Sequence, residues 1–415
     1  MKYSIVTFGC RVNQADSLRI EEQLRAGGGA ASAAADADVV VVNTCSVTAT
    51  ADQGARQTIR RIARDNPASR IIVTGCYATR CEEDLAALPN VVKVIRNRDK
   101  ERLADVLVER SMSGDGPCGA PIEPGIGGRT AFSLRVQTGC DEPCAYCIIP
   151  STRGSGQSLP LHHVLQEVTR IAESGFREII LTGVHLGSYG RDLATPVGFV
   201  DLLRALERIN ADVVFRVSSL EPMDCSPAIV DLIGRSGGRF APHFHLPLQH
   251  ASDRMLSLMR RPYTLDYYRR LVDSIRDLMP HASIGSDLIA GFPGESEQDF
   301  HANLDYLPDS PLTHLHVFPY SDRPGTAASG MRGKVGGAVT RERGMNLRAV
   351  GHELTRRFHT SQLGTVRPGL TLEDGTLVVT DNYLKVRIPA GVPRNERVRV
   401  KVSAVGSGLT GELVA

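Results

Sequence analysis

The sequence predicts an α/β chain in three parts: a doubly wound parallel-sheet domain, a central partial (β/α)6 barrel, and a small antiparallel β-barrel. Three observations predict it. Short aliphatic runs alternate with helical periodicity from residue 2 to about residue 320, the pattern of repeated βα units. A Gly-, Pro- and Ser-rich stretch over 111–128 interrupts that pattern once and marks a boundary. Beyond residue 356 the pattern shortens to that of strands alone. The implied domains are 1–120, 129–355 and 358–415.

In the first part, strands are expected at 2–8, 39–42 and 70–74, with a fourth at 91–95. Helical patterns lie at 16–25, 50–64, 82–88 and 99–110. The first three strands run into Gly9-Cys10, Asn43-Thr44-Cys45 and Gly75-Cys76. Open α/β sheets bind ligands at the carboxyl ends of their strands. Cys10, Cys45 and Cys76 are therefore expected to converge on one three-thiolate site, despite separations of 35 and 31 residues. One such cysteine would read as a small buried hydrophobe. Three at equivalent positions argue for metal. Cys81, Cys118 and Cys225 read as bystanders.

In the second part, a strand at 131–136 leads into a loop with Cys140, Cys144 and Cys147 at spacings of four and three. Thiolates are soft ligands, and zinc sites normally close with four. Here no fourth Cys or His is near. Three thiolates on a four-iron cluster leave one iron open to a small molecule; the rival readings are structural zinc or a chance cluster. Helices then follow at 161–173, 199–209, 227–233, 265–278 and 297–306, and strands at 178–181, 213–217, 243–246, 282–289 and 313–318. Eight βα units would close a barrel, so six imply an open one.

Several strand ends carry candidate chemistry. Ser218 and Glu221 would place a hydroxyl and a carboxylate at the rim, unless the serine merely caps a helix. Gln249 ends another strand, and Gly291 would let a ligand approach the backbone. Arg153, just after the cysteine loop, could meet a carboxylate or a phosphate. His185 and His250 read equally as proton carriers or as structural histidines. His162, His163 and His314 read as structural.

The tail holds nine basic residues against five acidic ones from Arg356 onward, in short strands at 370–372, 376–380, 383–388, 398–402 and 410–414. A small barrel with a basic face suits RNA, although a solvated face has the same composition. Arg332, Lys334, Arg341, Arg343 and Arg348 add to the charge along an expected helix. The whole chain carries a net charge of only +2, so any nucleic-acid contact must be local. Hydrophobic content of 42% is that of a globular protein. No run reaches the roughly 18 apolar residues of a membrane span, and no signal pattern opens the chain. A cytoplasmic chain is expected, in which cysteines serve metal or catalysis.

Gly9-Cys10-Arg11-Val12-Asn13, Asn43-Thr44-Cys45, Thr74-Gly75-Cys76-Tyr77, the cysteine loop with Ile148-Ile149-Pro150 and Arg153-Gly154, Pro247-Leu248-Gln249, Gly291-Phe292-Pro293-Gly294-Glu295 and Pro319-Tyr320-Ser321 together resemble the radical S-adenosylmethionine (SAM) methylthiotransferases. Thr182-Gly183-Val184-His185 and His316-Val317-Phe318-Pro319-Tyr320-Ser321 resemble the bacterial branch acting on threonylcarbamoyladenosine in tRNA. Two positions depart from the pattern, Thr79 and His250. The resemblance implies an auxiliary 4Fe-4S cluster on Cys10, Cys45 and Cys76, and a radical-generating 4Fe-4S cluster on Cys140, Cys144 and Cys147. It implies SAM contacts from Gly183, Ser218, Glu221, Gln249, Arg153 and Gly291, and a tail of the TRAM type. One SAM would methylate a sulfur held on the auxiliary cluster; a second would yield the 5′-deoxyadenosyl radical that activates carbon 2 of adenine. The implied partners are a tRNA anticodon stem-loop and a flavodoxin- or ferredoxin-type reductant, with the enzyme a monomer away from membranes. The rival substrates are isopentenyladenosine in tRNA and a ribosomal-protein aspartate. A non-catalytic RNA-binding protein with structural metal is the remaining alternative.

Overall fold

The computed structural model describes residues 1–103, 123–125, 130–406 and 408–414. Cys118 and most of the expected 99–110 helix and 111–128 boundary lie outside the described residues. The chain forms two compact units. The first comprises Met1–Ile122, Thr138–Gly156 and Ser321–Ser329; the second comprises Glu123–Gln137, Gln157–Tyr320 and Gly330–Ala415.

The first unit is built on a parallel sheet of order β2-β1-β3-β4-β5. Its strands are β1 (Lys2–Thr7), β2 (Ala30–Ala31), β3 (Val39–Thr44), β4 (Arg70–Gly75) and β5 (Val91–Ile95). Helix α1 (Arg11–Ala26) sets Ile20 and Leu24 against Val39 and Val41, while α2 (Ala49–Asp65) sets Ala55, Ile59 and Ile62 against Val40 and Val42. Alternate side chains of one strand face opposite sides of a sheet, so β3 is buried on both faces and the unit is doubly wound as expected. Helix α1 starts five residues earlier than its apolar periodicity indicates, because its first turns bury polar Asn13, Asp16 and Ser17. The expected 82–88 helix is α4 (Glu82–Ala86), and a short helix that the sequence pattern missed, α3 (Cys76–Arg80), precedes it across Cys81. A 3-10 turn, Asn97–Arg102, stands where the 99–110 helix was expected to begin. The short helix α5 (Ile149–Arg153) ends the cysteine loop.

The second unit holds six parallel strands in two sheets. One has order β8-β7-β6, from β6 (Ala131–Arg135), β7 (Glu178–Thr182) and β8 (Val214–Val217). The other has order β9-β10-β11, from β9 (His243–His245), β10 (Ser283–Ala290) and β11 (His314–Pro319). A parallel bridge between Phe215 and Phe240 links β8 to the chain entering β9. This is the open six-stranded barrel that the βα count implies. Helices α6 (Leu161–Glu173), α7 (Phe199–Arg208), α8 (Pro227–Arg235), α9 (Asp253–Leu258), α10 (Leu265–Leu278) and α11 (Glu297–Tyr306) connect the strands. The sequence pattern missed α9. It also missed the length of α12 (Gly337–Ser361), a 25-residue helix that packs against β11 through Gly351 and Leu315.

The tail closes into a barrel of order β12-β13-β14-β16-β15, with β12 (Val366–Leu372), β13 (Leu377–Thr380), β14 (Lys385–Arg387), β15 (Arg397–Val405) and β16 (Leu409–Val414). Its pairs are antiparallel except β14 with β16, which is parallel. Val378, Leu384, Val386, Val400, Val402 and Leu409 fill it, joined by Phe358 from α12.

Arg216 ties this small barrel to the open one. It is 1% exposed, and its Nε donates to Glu178 Oε1 at 2.8 Å. Its other nitrogens donate to the Asp381 and Thr380 carbonyls, with the Tyr383 ring 4.8 Å from the guanidinium. Removing one partner of a buried pair strands the other charge, at a cost of about 3–5 kcal/mol. Arg216→Met is therefore expected to lower unfolding stability in urea by that order. Adding Glu178→Leu should restore part of the loss.

Candidate metal and cofactor sites

Strand order alone gathers the first cysteine set. β1, β3 and β4 are adjacent, with Thr7 paired to Asn43, Asn43 to Thr74, and Thr44 to Gly75. Cys10 comes three residues after Thr7, just before α1; Cys45 directly follows Thr44; and Cys76 directly follows Gly75 as α3 begins. Two glycines make the approach possible. Gly9 has φ +90°, and a Cβ there would lie 2.7 Å from Cys45 Sγ. Gly75 has φ +102°, and a Cβ would lie 2.2 Å from the Thr44 carbonyl oxygen. The neighbouring motif residues hold the turns. Asn13 Nδ2 donates to the Phe8 and Thr44 carbonyls, and Asn43 Nδ2 donates to the Asn13 carbonyl and Ser17 Oγ.

Cys10 is exposed, whereas Cys45 and Cys76 are buried. Burial pushes the Cys45 thiol up to about 12, and the nearby Cys10 and Cys76 sulfurs push in the same direction. Metal binding must displace such protons.

Two buried cations lie beneath this set. Lys100 Nζ donates to Asp16 Oδ2 at 2.9 Å and to Asn43 Oδ1 at 3.1 Å. Burial pushes its ammonium below the ordinary value, opposed by Asp16. Arg153 donates to the same Asp16 oxygen at 3.0 Å, and also to Asn13 Oδ1 and Thr138 Oγ1. Its burial disfavours the charge, yet Cys76, Asp16 and Cys10 together hold the guanidinium above its ordinary range. Arg153 thus sits beside the first cysteine set with named protein partners.

The second cysteine set belongs to the same unit. Cys140 N donates to the Gly154 carbonyl, Glu142 N approaches Cys140 Sγ at 3.4 Å, and Cys147 N donates to the Cys144 carbonyl. Asn97 connects the two sets: its Nδ2 lies 3.5 Å from Cys76 Sγ and donates to the Thr152 carbonyl at 2.9 Å. Segment Ser321–Ser329 fastens both sides. Ala328 N donates to the Ala145 carbonyl at 2.7 Å, and Arg323 pairs with Asp52 at 2.6 Å.

Both sets fit iron–sulfur ligation on donor chemistry. Each offers three cysteine sulfurs as soft donors, and the first is flanked by the buried Arg153 and Lys100. Arg153 Nε is buried without an acceptor among the described residues, a donor suited to an anionic group on the cysteines.

The remaining candidates lie in the second unit. Gly183 follows β7 closely packed; a Cβ there would lie 2.6 Å from a Leu186 methyl and 3.0 Å from Gln137 Oε1. Ser218 is buried and its amide donates to the Leu181 carbonyl. Glu221 pairs with the buried Arg261 guanidinium. Gln249 has φ +70° and exchanges backbone hydrogen bonds with β10 through Asp287 and Ile289. Gly291 has φ +76°, with its amide donating to Glu295. These residues all stand at or just beyond strand carboxyl ends. His185 and His250 are buried and bonded, to Asp224 at 2.6 Å and to Asn303 at 3.1 Å respectively. His162 and His163 are exposed on α6. Cys81 packs at the edge of the sheet core, and Cys225 is 1% exposed.

Among the basic residues, Arg343 is buried against Glu295 and Glu297, and Arg367 pairs with Asp381. Lys385, Arg387, Arg399 and Lys401 are exposed on the small barrel. Sequence reasoning missed Asp16, Lys100 and Asn97, whose roles depend on residues distant in the chain. It also missed His245, Asp287 and His316, whose ligand atoms lie within 4.8 Å of one another. A signal for them existed: His-x-His at 243–245 and again at 314–316 puts histidines on one face of two strands.

Two family descriptions match: "Uncharacterized protein family UPF0004" over residues 2–96 and "Radical SAM superfamily" over residues 134–307. The chain is 34% identical over 400 residues to the threonylcarbamoyladenosine tRNA methylthiotransferase MtaB of Aquifex aeolicus, covering 93% of this chain and 96% of that protein. It is 33% identical to the MtaB of Bacillus subtilis, covering 92% and 88%. It is 34% identical to the tRNA-2-methylthio-N(6)-dimethylallyladenosine synthase of Pelotomaculum thermopropionicum, covering 82% and 80%. In fold it is similar to the radical SAM methyltransferase TsrM of Kitasatospora setae, with a TM-score of 0.55 at 16% identity over 79% of this chain and 77% of that one.

Two outcomes follow from the thiols. If both cysteine sets hold four-iron clusters, anaerobic reconstitution should load about eight irons per chain. A Cys10, Cys45 and Cys76 triple alanine variant should hold about four; an unchanged iron count would refute the assignment. Separately, burial pushes the Cys225 thiol up to about 12 from its ordinary value of 9.0. Its contribution to stability is therefore complete below pH 9.0 and lost as pH rises toward 12. Cys225→Ala should flatten the alkaline limb of a stability–pH curve measured on the metal-free chain.

Proposed function

The chain belongs to the radical SAM methylthiotransferases, and on that premise we propose that it converts N6-threonylcarbamoyladenosine at position 37 of tRNA to its 2-methylthio derivative. It is an enzyme that uses SAM and a 4Fe-4S cluster. The observation that carries the reading is the pairing of two three-cysteine sets within one compact unit. One set alone would suit SAM cleavage. Inserting sulfur and a methyl group into an inert C–H bond needs a second place to hold sulfur.

In this reading Cys140, Cys144 and Cys147 hold the radical-generating cluster, and Cys10, Cys45 and Cys76 hold a second 4Fe-4S cluster. Bound there, the two groups would supply SAM cleavage to a 5′-deoxyadenosyl radical and a sulfur for methylthio transfer. Arg153 and Lys100 offset thiolate charge at the second set, and Asn97 keeps Cys76 in register with α5. Gly183, Ser218, Gln249 and Gly291 present strand-end backbone and polar groups to SAM, and Glu221 is held by Arg261. Domains 1–120, 129–355 and 358–415 divide the work into sulfur holding, radical generation and RNA contact. The exposed Lys385, Arg387, Arg399 and Lys401 support contact with the anticodon stem-loop, because phosphate contacts are largely electrostatic. A flavodoxin- or ferredoxin-type protein would deliver the electron, to a monomer in the cytoplasm. Among the described residues no helix is long and apolar enough to cross a membrane.

One observation favours a second reading: a dimethylallyladenosine-type relative is also 34% identical, although over 82% of this chain rather than 93%. Mass spectrometry of tRNA from cells lacking the protein separates the two. Loss of 2-methylthio-threonylcarbamoyladenosine is expected, with its precursor accumulating. Loss of the 2-methylthio-isopentenyl nucleoside instead would favour the second reading, and no change in either would refute both.

A further inference from the structure

Arg153 has two properties that its protein partners leave unused, a donor and a charge. Its side chain is 3% exposed. One terminal nitrogen donates to Thr138 Oγ1 at 3.1 Å; the other donates to Asn13 Oδ1 and to Asp16 Oδ2 at 3.0 Å. These bonds fix the guanidinium from three directions. Its Nε–H, however, is buried and has no acceptor among the described residues. A buried donor without a partner is costly and calls for an explanation.

The charge is the second property. A guanidinium keeps its proton in a protein. Asp16 Oδ2 also receives the buried Lys100 Nζ, at 2.9 Å. Two cations thus meet on one carboxylate, which cannot offset both.

Both cations lie against the turns that carry the first cysteine set. Asn13, bonded to Arg153, is three residues beyond Cys10, and Asn43, bonded to Lys100, is two before Cys45. Thr152, next to Arg153, accepts through its carbonyl from Asn97 Nδ2, which also lies 3.5 Å from Cys76 Sγ. Burial opposes the Arg153 charge, but Cys76, Asp16 and Cys10 favour it strongly enough to hold it above its ordinary range.

We propose that Arg153, fixed by Asp16 beside this set, raises the reduction potential of the four-iron cluster assigned to Cys10, Cys45 and Cys76, readying it for an electron released in methylthio transfer. The inference rests on the reading of that set as a second cluster that holds sulfur. The electron count follows from the bonds. A hydrogen atom leaves carbon 2 of adenine for the 5′-deoxyadenosyl radical. The carbon radical left behind then bonds a methylthiolate sulfur, whose bond to iron breaks. The radical brings one electron and the thiolate two; the new C–S bond uses two. The surplus electron passes to the iron–sulfur group that held the sulfur.

Net charge and hydrogen bonds to the sulfurs set such potentials. Uptake of one electron adds one negative charge, so a fixed buried cation stabilises the reduced form more than the oxidised one. An N–H donated to a sulfur acts in the same direction, and Nε is a buried donor available for it. Lys100 contributes by sharing Asp16; without it the carboxylate would offset Arg153 in full.

The test uses the full chain with Cys140→Ala, Cys144→Ala and Cys147→Ala, reconstituted anaerobically, so that the first set alone gives a signal. This reference should hold about four irons. Dithionite lowers the potential stepwise with mediator dyes present, and electron paramagnetic resonance follows the reduced cluster. Arg153→Met, which leaves Asp16 paired with Lys100, should favour the oxidised form about tenfold, a fall in midpoint of about 59 mV for one electron. Arg153→Lys keeps the charge and should restore part of that fall. Lys100→Met leaves Asp16 paired with Arg153 and should lower the midpoint too; it carries the test if Arg153→Met holds no iron. Iron content and melting temperature verify each fold. An unchanged midpoint in Arg153→Met, or in Lys100→Met where that variant carries the test, would overturn the tuning role. So would an equal fall in Arg153→Lys and Arg153→Met. A reference chain that loads no iron would instead refute the second cluster, and the inference with it.

Discussion

One buried carboxylate organises the first unit. Asp16 Oδ2 receives both Lys100 and Arg153, with all three side chains no more than 4% exposed. These cations come from separate parts of the chain, one beyond β5 and one at the end of the cysteine loop. Neutralising Asp16 would leave two uncompensated cations in a low-dielectric site, which is costly. The same network contacts Asn13 and Asn43, the residues that shape the turns bearing Cys10 and Cys45. Thiol placement, loop anchoring and charge compensation thus depend on one interaction.

The second unit meets a different constraint. An open barrel of six strands leaves a mouth and a base. The base is closed in part by the tail barrel, through Arg216, Glu178 and the Thr380–Asp381 carbonyls. The carboxyl ends stay available, and there the chain places glycines and left-handed residues such as Gln249 and Gly291.

Much of this was legible in the sequence because it is local. The strand β5 and helices α6, α10 and α11 lie where hydrophobic periodicity puts them. The convergence of Cys10, Cys45 and Cys76 followed from strand-end position alone, since parallel order fixes which ends meet. The early start of α1 was hidden because buried Asn13 and Asp16 look like surface residues in a one-dimensional pattern. Arg153 was read as facing a ligand's carboxylate or phosphate; it also donates to Asp16, 137 positions away, which no local pattern could indicate. Arg343 counted toward a basic face and is instead spent on Glu295 and Glu297. Charge tallies carry no information about partners, and that is where sequence reading lost residues.

The central claim is that two cysteine sets divide one reaction, one set cleaving SAM and the other holding sulfur. The most direct measurement is an anaerobic assay of the Cys10, Cys45 and Cys76 triple alanine variant with threonylcarbamoyladenosine-containing tRNA. Both 5′-deoxyadenosine and the 2-methylthio nucleoside are quantified in each reaction. The account predicts that 5′-deoxyadenosine still forms while the methylthio product disappears. Methylthio product at the wild-type level from this variant would contradict it.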